Sequence, residues 1–218
     1  MTVRLASPKA ILFDWDNTLV DSWGGIAEAL NTTLVAMGHP AWSMEMVKAR
    51  VALSLRDTFP ALFGARWEEA RDIFYRRFEE IQIEQLRPLP GAAEMLSAFA
   101  DMQIRLAVVS NKRGEYLRRE ARELGWDRWF DRLVGAGDAE TDKPSPAPVR
   151  LALAASGIAP GEHVWFIGDA AVDLECAINS GCVPILLRAE PPRPAEFQAH
   201  PPRHHFAAFS DVTGLVRG

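Results

Sequence analysis

Two aspartates follow the first apolar run of the chain. Asp14 and Asp16 come directly after Ala10–Phe13 in the stretch ILFDWDNTLVDS. Residues i and i+2 of a strand point to the same side, so both carboxylates would share one side of the strand end. Carboxylates this close repel unless a cation or a shared proton relieves them, and Mg²⁺ is the natural hard cation for such oxygens. Asp and Asn also start turns, so these twelve residues alone leave a purely structural interpretation open.

Polar residues end two further apolar runs. Ser110 and Asn111 follow the run RLAVV, where a hydroxyl and backbone N–H groups could hold a phosphate oxygen. Asp169 follows VWFIG, and Asp173 comes four residues later, where both could face one cation. Ser and Asn also simply end strands, and an acidic residue in a first helical turn suits the helix dipole.

A lysine stands in an unusual proline-rich setting. Lys143 lies in DKPSPAP, with prolines at 144, 146 and 148 that hold the backbone extended and restrict the residues before them. A lysine fixed in this way could neutralise a phosphate and nearby carboxylates, although a lone lysine is usually solvated surface.

Short apolar runs alternate with helical patterns over most of the chain. This alternation predicts a doubly wound parallel sheet in three layers, whose strands are covered on both faces. Open sheets of this kind bind ligands at the carboxyl ends of their strands, where the polar residues above fall. The predicted strands are 10–13, 105–110, 164–168 and 183–187, and the predicted helices are 92–102, 115–124, 148–156 and 171–180.

One region breaks this alternation. Between about Ser22 and Leu86 no strand is evident, and apolar residues from Trp67 to Ile81 recur every three or four positions, as on one helix face. Residues 26–37 form a second helical pattern, stopped by glycine and proline. We therefore predict an α/β core domain from residues 1–20 and 88–218, with a helical cap domain, residues 21–87, inserted after the first strand.

Composition narrows the classes of function. The chain has 218 residues and a formal net charge of −5, which offers no field for holding nucleic acid. No apolar run approaches the roughly 20 residues needed to cross a bilayer, and no secretory signal is evident, so we expect a cytoplasmic protein without a membrane partner. Its two cysteines are too few for a disulfide framework. A monomer or a homodimer is expected.

Together the motifs D-x-D-x-T, S-N, K-P and G-D-x-x-x-D, in this order, resemble the haloacid dehalogenase superfamily of hydrolases. The resemblance runs from about Lys9 to Leu187, and VVSNK and DKPSPAP are most similar to the phosphoglycolate phosphatase-like branch. It implies a Rossmann-like core with a helical cap and a Mg²⁺-dependent phosphatase acting on a small phosphorylated metabolite, with phosphoglycolate as one candidate substrate.

The resemblance also implies a role for each motif residue. Asp14 would be the nucleophile that forms an aspartyl-phosphate, and Asp16 the general acid and then the base. The remaining roles are phosphoryl binding by Thr18, Ser110 and the Asn111 amide, charge neutralisation by Lys143, and Mg²⁺ ligation by Asp14, the Asp16 backbone carbonyl, Asp169 and Asp173.

The chain departs from the family pattern at Asn17 and in the cap, and only the cap departure bears on the substrate. Asn17 replaces a glycine, and asparagine is among the residues that best tolerate the positive φ expected there. The cap stretch ARVALSLRDTF lacks the glycine of the usual signature. Arg50, Ser54 and Arg56 are candidates for contacting a substrate anion, and Trp23 is a candidate for lining the pocket.

Several alternatives stay open at this point. A phosphosugar mutase would keep the same residues, whereas a haloacid dehalogenase would not need Asp16, Asp169 or Asp173. An idle binding or regulatory protein would be expected to lack part of the machinery, and nothing is missing. His200, His204 and His205 lie in a proline-rich tail that is interpreted as irregular surface, not as a metal site.

Overall fold

The computed structural model describes residues 7–51 and 55–217. Its centre is a six-stranded parallel sheet. The sheet strands are β1 (Ala10–Phe13), β4 (Arg105–Arg113), β5 (Arg132–Ala136), β6 (Val164–Gly168), β7 (Val183–Leu187) and β8 (His204–Phe206). Their order across the sheet is β5-β4-β1-β6-β7-β8.

Both faces of this sheet are covered. Ile11 and Phe13 of β1 pack into one apolar cluster, and Ala10 and Leu12 pack into another on the opposite face. The first cluster includes residues of α5 (Ala92–Asp101), α6 (Gly114–Glu123) and α9 (Phe209–Arg217); the second includes residues of α7 (Ala147–Leu153) and α8 (Ala171–Asn179). The predicted three-layer, doubly wound α/β fold is thereby confirmed.

The helical insertion lies between β1 and β4. It contains α1 (Trp23–Ala36), α2 (Met44–Arg50), α3 (Leu55–Phe63) and α4 (Trp67–Ile81), packed around an aromatic core of their own. The chain enters through β2 (Val20–Asp21) and leaves through β3 (Arg87–Pro88), and these two short strands pair antiparallel with each other. The insertion is thus joined to the core by two adjacent segments of chain. Its described residues contain no strand between positions 22 and 86.

Two parts of the fold differ from the sequence prediction. β5 has no counterpart among the predicted strands, although it pairs along β4 at the sheet edge. The tail is not irregular throughout: His204–Phe206 adds β8 beside β7, and Phe197 is buried against Leu174 and Leu186. Among the described residues, none of the helices combines the length and the apolar character that a membrane span requires.

Candidate active site

The candidate site lies where three neighbouring strands end. β1 is hydrogen-bonded between β4 and β6, so their carboxyl ends bring Asp14, Ser110 and Asp169 to one edge of the sheet. The backbone N–H of Asp14 donates to the Ile167 carbonyl at 2.9 Å, which fixes Asp14 beside the end of β6. Residues far apart in sequence therefore meet because the strands are parallel and in register.

Three carboxylates form an acidic cluster at this edge. Ligand oxygens of Asp14, Asp169 and Asp173 all lie within 4.8 Å of one another. Lys143 Nζ lies 2.6 Å from Oδ1 of Asp14 and 2.6 Å from Oδ1 of Asp173. It is the sole cationic side chain within 4 Å of the cluster in the described part of the chain. Three carboxylates and one ammonium group give the cluster a net charge of −2, which a divalent cation would neutralise.

Burial makes this charge arrangement costly. Desolvation raises the pKa of Asp14 to about 7, against the lowering effect of Lys143 and with a further increase from Asp173 and Asp16. Desolvation and the neighbouring Asp173 and Asp14 carboxylates also raise the pKa of Asp169 well above its usual range. Burial would lower the pKa of Lys143, but Asp14 and Asp173 together raise it, so the lysine stays charged.

The donor set fits a hard divalent cation. Within residues 7–51 and 55–217, Oδ2 of Asp14 and Oδ2 of Asp169 accept no hydrogen bond, whereas Oδ1 of Asp169 accepts one from the Thr18 hydroxyl at 3.0 Å. Free carboxylate oxygens that open to a cavity beside a third carboxylate are the kind of ligand that Mg²⁺ prefers. The hydrogen bond from the Thr18 hydroxyl orients Asp169, and the predicted phosphoryl contact of Thr18 stays a prediction.

Local structure holds these side chains in place. Oδ2 of Asp173 accepts the Ala170 N–H at 3.0 Å at the start of α8. This approach requires Gly168, because a Cβ there would lie 2.3 Å from the Cβ of Asp173. Asn111 exchanges two hydrogen bonds with the main chain of Lys143, at 3.0 and 3.2 Å, and so positions the lysine from the end of β4. Asn17 has a φ of 63°, as the glycine-like position predicts.

Asp16 is held by a separate network. Its Oδ1 accepts hydrogen bonds from the Ser22 hydroxyl and from Lys112 Nζ, the latter at 2.6 Å. Lys112 Nζ also contacts both Glu120 oxygens, at 2.7 and 2.8 Å, and Glu120 accepts the indole N–H of Trp15 at 2.7 Å. The Asp16 carboxylate still lines the cavity, and ligation of the ion by the Asp16 backbone carbonyl stays a prediction.

Sequence reasoning missed Ser22, Lys112 and Glu120. A lysine and a glutamate in polar stretches resemble surface residues, yet the Lys112 and Glu120 side chains are only 4% and 2% exposed. The one available signal is that Lys112 follows the Ser110–Asn111 strand end directly.

A cavity of about 380 Å³ opens over the site between core and cap. Asp14, Asp16, Ser110, Asn111, Lys143, Asp169 and Asp173 line its floor. Trp23, Ile26 and Val51 contribute apolar side chains from the cap side. Trp23 therefore lines the cavity, as the sequence suggests. Side chains of the cap approach the core at Tyr116, whose ring centroid is 5.5 Å from that of Tyr75 and 5.6 Å from that of Phe78.

The cap candidates for an anion contact fare differently. Arg50 does not line this cavity; its guanidinium lies 4.5 Å from the centroid of the Trp42 ring. Ser54 and the side chain of Arg56 lie outside the described residues.

In the tail, His205 Nε2 lies 2.9 Å from the Arg188 carbonyl oxygen, and His200 Nδ1 is 3.9 Å from Glu175.

Comparisons with known proteins agree with this fold and this constellation. The protein-family model of haloacid dehalogenase-like hydrolases matches residues 11–186. A phosphoglycolate phosphatase of Photorhabdus laumondii subsp. laumondii is 30% identical over 182 residues, which cover 80% of this chain and 77% of that protein. A phosphoglycolate phosphatase of Aquifex aeolicus is 31% identical over 174 residues, covering 79% and 81%.

A solved structure supports the same assignment. A HAD-superfamily hydrolase from Ehrlichia chaffeensis has a TM-score of 0.66 and 30% sequence identity, with 98% of each chain covered. The chain belongs to the haloacid dehalogenase-like hydrolase family. The predicted family and the predicted enzyme class, a phosphoric monoester hydrolase, are thereby confirmed.

Proposed function

We propose that this enzyme hydrolyses the phosphate monoester of a small metabolite, with Mg²⁺ bound and Asp14 as the nucleophile. The observation that carries the proposal is the cluster of three carboxylates, Asp14 and Asp173 buried and Asp169 half-buried, served by a single ammonium group at the strand ends. Such a cluster is costly for stability alone and suits a site that must bind a divalent cation and a phosphoryl group.

Asp14, Asp169 and Asp173, with the Asp16 backbone carbonyl, would hold the Mg²⁺. The bound ion would keep Asp14 ionised near neutral pH and would offset the charge on the phosphoryl oxygens. The free Oδ2 atom of Asp169 supports this assignment, since it has no protein partner in the described residues.

Asp14 is the proposed nucleophile because its geometry leaves one oxygen free. Oδ1 is fixed by Lys143, so Oδ2 would attack phosphorus and form an aspartyl-phosphate while the leaving oxygen departs. Ser110 and Asn111 line the cavity beside Asp14, and the Ser110 hydroxyl and the Asn111 backbone N–H would hold the phosphoryl group during transfer. Lys143 would help neutralise the charge of that group.

Asp16 is the proposed acid and base. Ser22 and Lys112 both bind Oδ1, which leaves Oδ2 to donate a proton to the leaving oxygen. After the alcohol leaves, the same oxygen would accept a proton from the water that attacks the aspartyl-phosphate.

The substrate is proposed from the relatives. Both relatives named above are phosphoglycolate phosphatases, so 2-phosphoglycolate is one candidate substrate. The substrate would be a small phosphorylated metabolite of the cytoplasm. A phosphosugar mutase is the alternative that the same residues would serve; it would transfer the phosphoryl between sugar positions and release little phosphate.

The test is phosphate release from a panel of small esters, including 2-phosphoglycolate and sugar phosphates. We expect release with Mg²⁺, none with a chelator, and a loss of about 10³-fold or more in Asp14→Asn. Asp101→Asn, on the exposed side of α5, is the matched control and should keep full activity. Mg²⁺ binding without release from any ester, or transfer in place of release, would overturn the hydrolase proposal.

A further inference from the structure

The cap contains a second cavity, of about 240 Å³, next to the one over the carboxylates. Its described lining is apolar except for Arg50 and Thr58, and Arg50 is stacked on Trp42. The apolar lining residues are Ile26, Leu30, Trp42, Val51, Phe59, Ala61, Leu62 and Phe74. Nothing in the proposed reaction of the carboxylates uses this space.

The two cavities are neighbours with a common wall. Ile26, Val51 and Phe74 line both of them, so the far wall of the catalytic cavity is also the near wall of the cap cavity. The catalytic cavity, at about 380 Å³, already falls in the range of about 300–1,000 Å³ that holds drug-sized ligands. A phosphoryl group with a two-carbon leaving group would leave much of this space to water.

Most cations around the catalytic cavity are already engaged. Lys112 contacts Asp16 and Glu120, Arg113 lies 3.0 Å from Glu115, and Arg188 lies 2.7 Å from Glu196. Lys48 is different: its ammonium lies 5.4 Å from the centroid of the Trp23 ring. The described cap side therefore offers a leaving group mainly apolar and aromatic contacts.

We propose that the cap cavity binds an apolar arm of the substrate, so that the favoured esters are phosphates of alcohols bearing a hydrocarbon chain or ring. The phosphoryl would lie on the carboxylate cluster, and the hydrocarbon would pass Ile26, Val51 and Phe74 into the cap. This inference rests on the proposed phosphatase function for its use, but the binding site itself can be tested without turnover.

The test is calorimetric titration of the Mg²⁺-loaded enzyme with n-alkylphosphonates, which cannot be hydrolysed, from ethyl to octyl, each below its micelle concentration. Each added methylene should tighten binding about fourfold until the cavity is filled, because burying a CH₂ removes apolar surface from water. The kcat/KM values of the matching alkyl phosphates should rise in the same order.

A variant pair locates the effect. Leu30→Trp fills the cap cavity from α1 and should flatten the dependence of affinity on chain length. Val35→Trp adds the same side chain to the exposed side of the same helix and should keep the wild-type dependence. If Leu30→Trp does not fold, Ala61→Phe adds a ring to the same cavity from α3 and is tested in its place.

The outcomes separate the two proposals. Affinity that does not change with chain length overturns the apolar site, whatever the activity on small esters. Tighter binding when the chain ends in a carboxylate also overturns it and assigns the cap side of the cavity to an anion near Lys48. Chain-length-dependent binding without hydrolysis of any ester would support the apolar site and contradict the phosphatase function.

Discussion

Asp14 is buried among like charges, and this has a measurable effect on stability. The pKa of Asp14 is about 7 in the folded, metal-free protein, compared with an ordinary value of 3.8 for an aspartate. A carboxyl whose pKa is raised by folding favours the folded state in its protonated form, so stability falls as pH rises from about 4 through about 7. The site is therefore least stable at the pH at which its nucleophile is ready.

Asp14→Asn should stabilise the metal-free fold, and more so at higher pH. Asparagine does not titrate, so the gain in free energy of unfolding over wild type should grow by about 3 kcal/mol between about pH 5 and about pH 8. Urea denaturation with a chelator at both pH values measures it. An equal gain at both pH values, or the same trend in Asp101→Asn, would contradict the assigned electrostatics.

The residues of the cluster could be predicted because parallel-sheet rules carry strand-end residues to one place. Asp14 and Lys143 are 129 residues apart in sequence, yet the positions of their motifs predict that they share a site. In the structure, Lys143 Nζ lies 2.6 Å from Oδ1 of Asp14. The Lys112 contacts could not be predicted, because they depend on which face of α6 turns back toward the site. No local pattern marks a polar side chain as buried.

Among the elements, β4 and α6 each supply one buried charged residue next to Asp16. These residues are Lys112 and Glu120, and we call this ion pair the bracket. β4 ends at Arg113 and α6 begins at Gly114, so Lys112 and Glu120 face each other across the turn. Burial would lower the pKa of Lys112, but Asp16 and Glu120 raise it, so the lysine stays charged. Since a buried charge without its partner is costly, each member should depend strongly on the other.

A double-mutant cycle tests this bracket. Lys112→Met should lower the free energy of unfolding by about 3–5 kcal/mol, because it leaves Glu120 buried and unpaired. Adding Glu120→Gln should recover much of that loss. The exposed pair Arg66 and Glu69 is the control, and the same two replacements there should show little coupling. Additive effects at Lys112 and Glu120 would mean that the bracket is not a unit.

The elements that sequence patterns missed share a physical cause. β5 is a short edge strand with a glycine in RLVGA, and its polar first residue hides the apolar run. β8 follows a proline-rich stretch, and only its pairing with β7 makes it a strand. The longer helices were predictable, because an apolar face repeats over several turns, as in Trp67–Ile81.

At the scale of the whole molecule, the cap is proposed to close over the site as a unit of residues 21–87. Its hinges would be 20–25 and 87–91, which include the paired strands β2 and β3. Tyr75 and Phe78 of α4 meet Tyr116 of α6, so an aromatic contact would hold the cap down. Closure would exclude water and complete the pocket.

Tyr116→Ala should loosen this contact. We expect faster amide exchange in residues 67–81 and a larger radius of gyration by small-angle scattering, both reversed by Mg²⁺ with a phosphate analogue. Trp129→Ala, which removes a ring of the core that packs on Trp126, is the control and should leave α4 unchanged. The hinge proposal fails if neither quantity responds to the analogue in wild type.

Asp14 is proposed to carry the phosphoryl group during turnover. The measurement that tests this role is acid quenching of Asp16→Asn during reaction with p-nitrophenyl phosphate, followed by peptide mass spectrometry. A good leaving group needs little help from an acid, whereas breakdown of the aspartyl-phosphate needs the base, so phosphorylated Asp14 should accumulate. Phosphate release by wild type, with no phosphorylated Asp14 peptide trapped in the variant, would contradict the mechanism and point to direct attack by water.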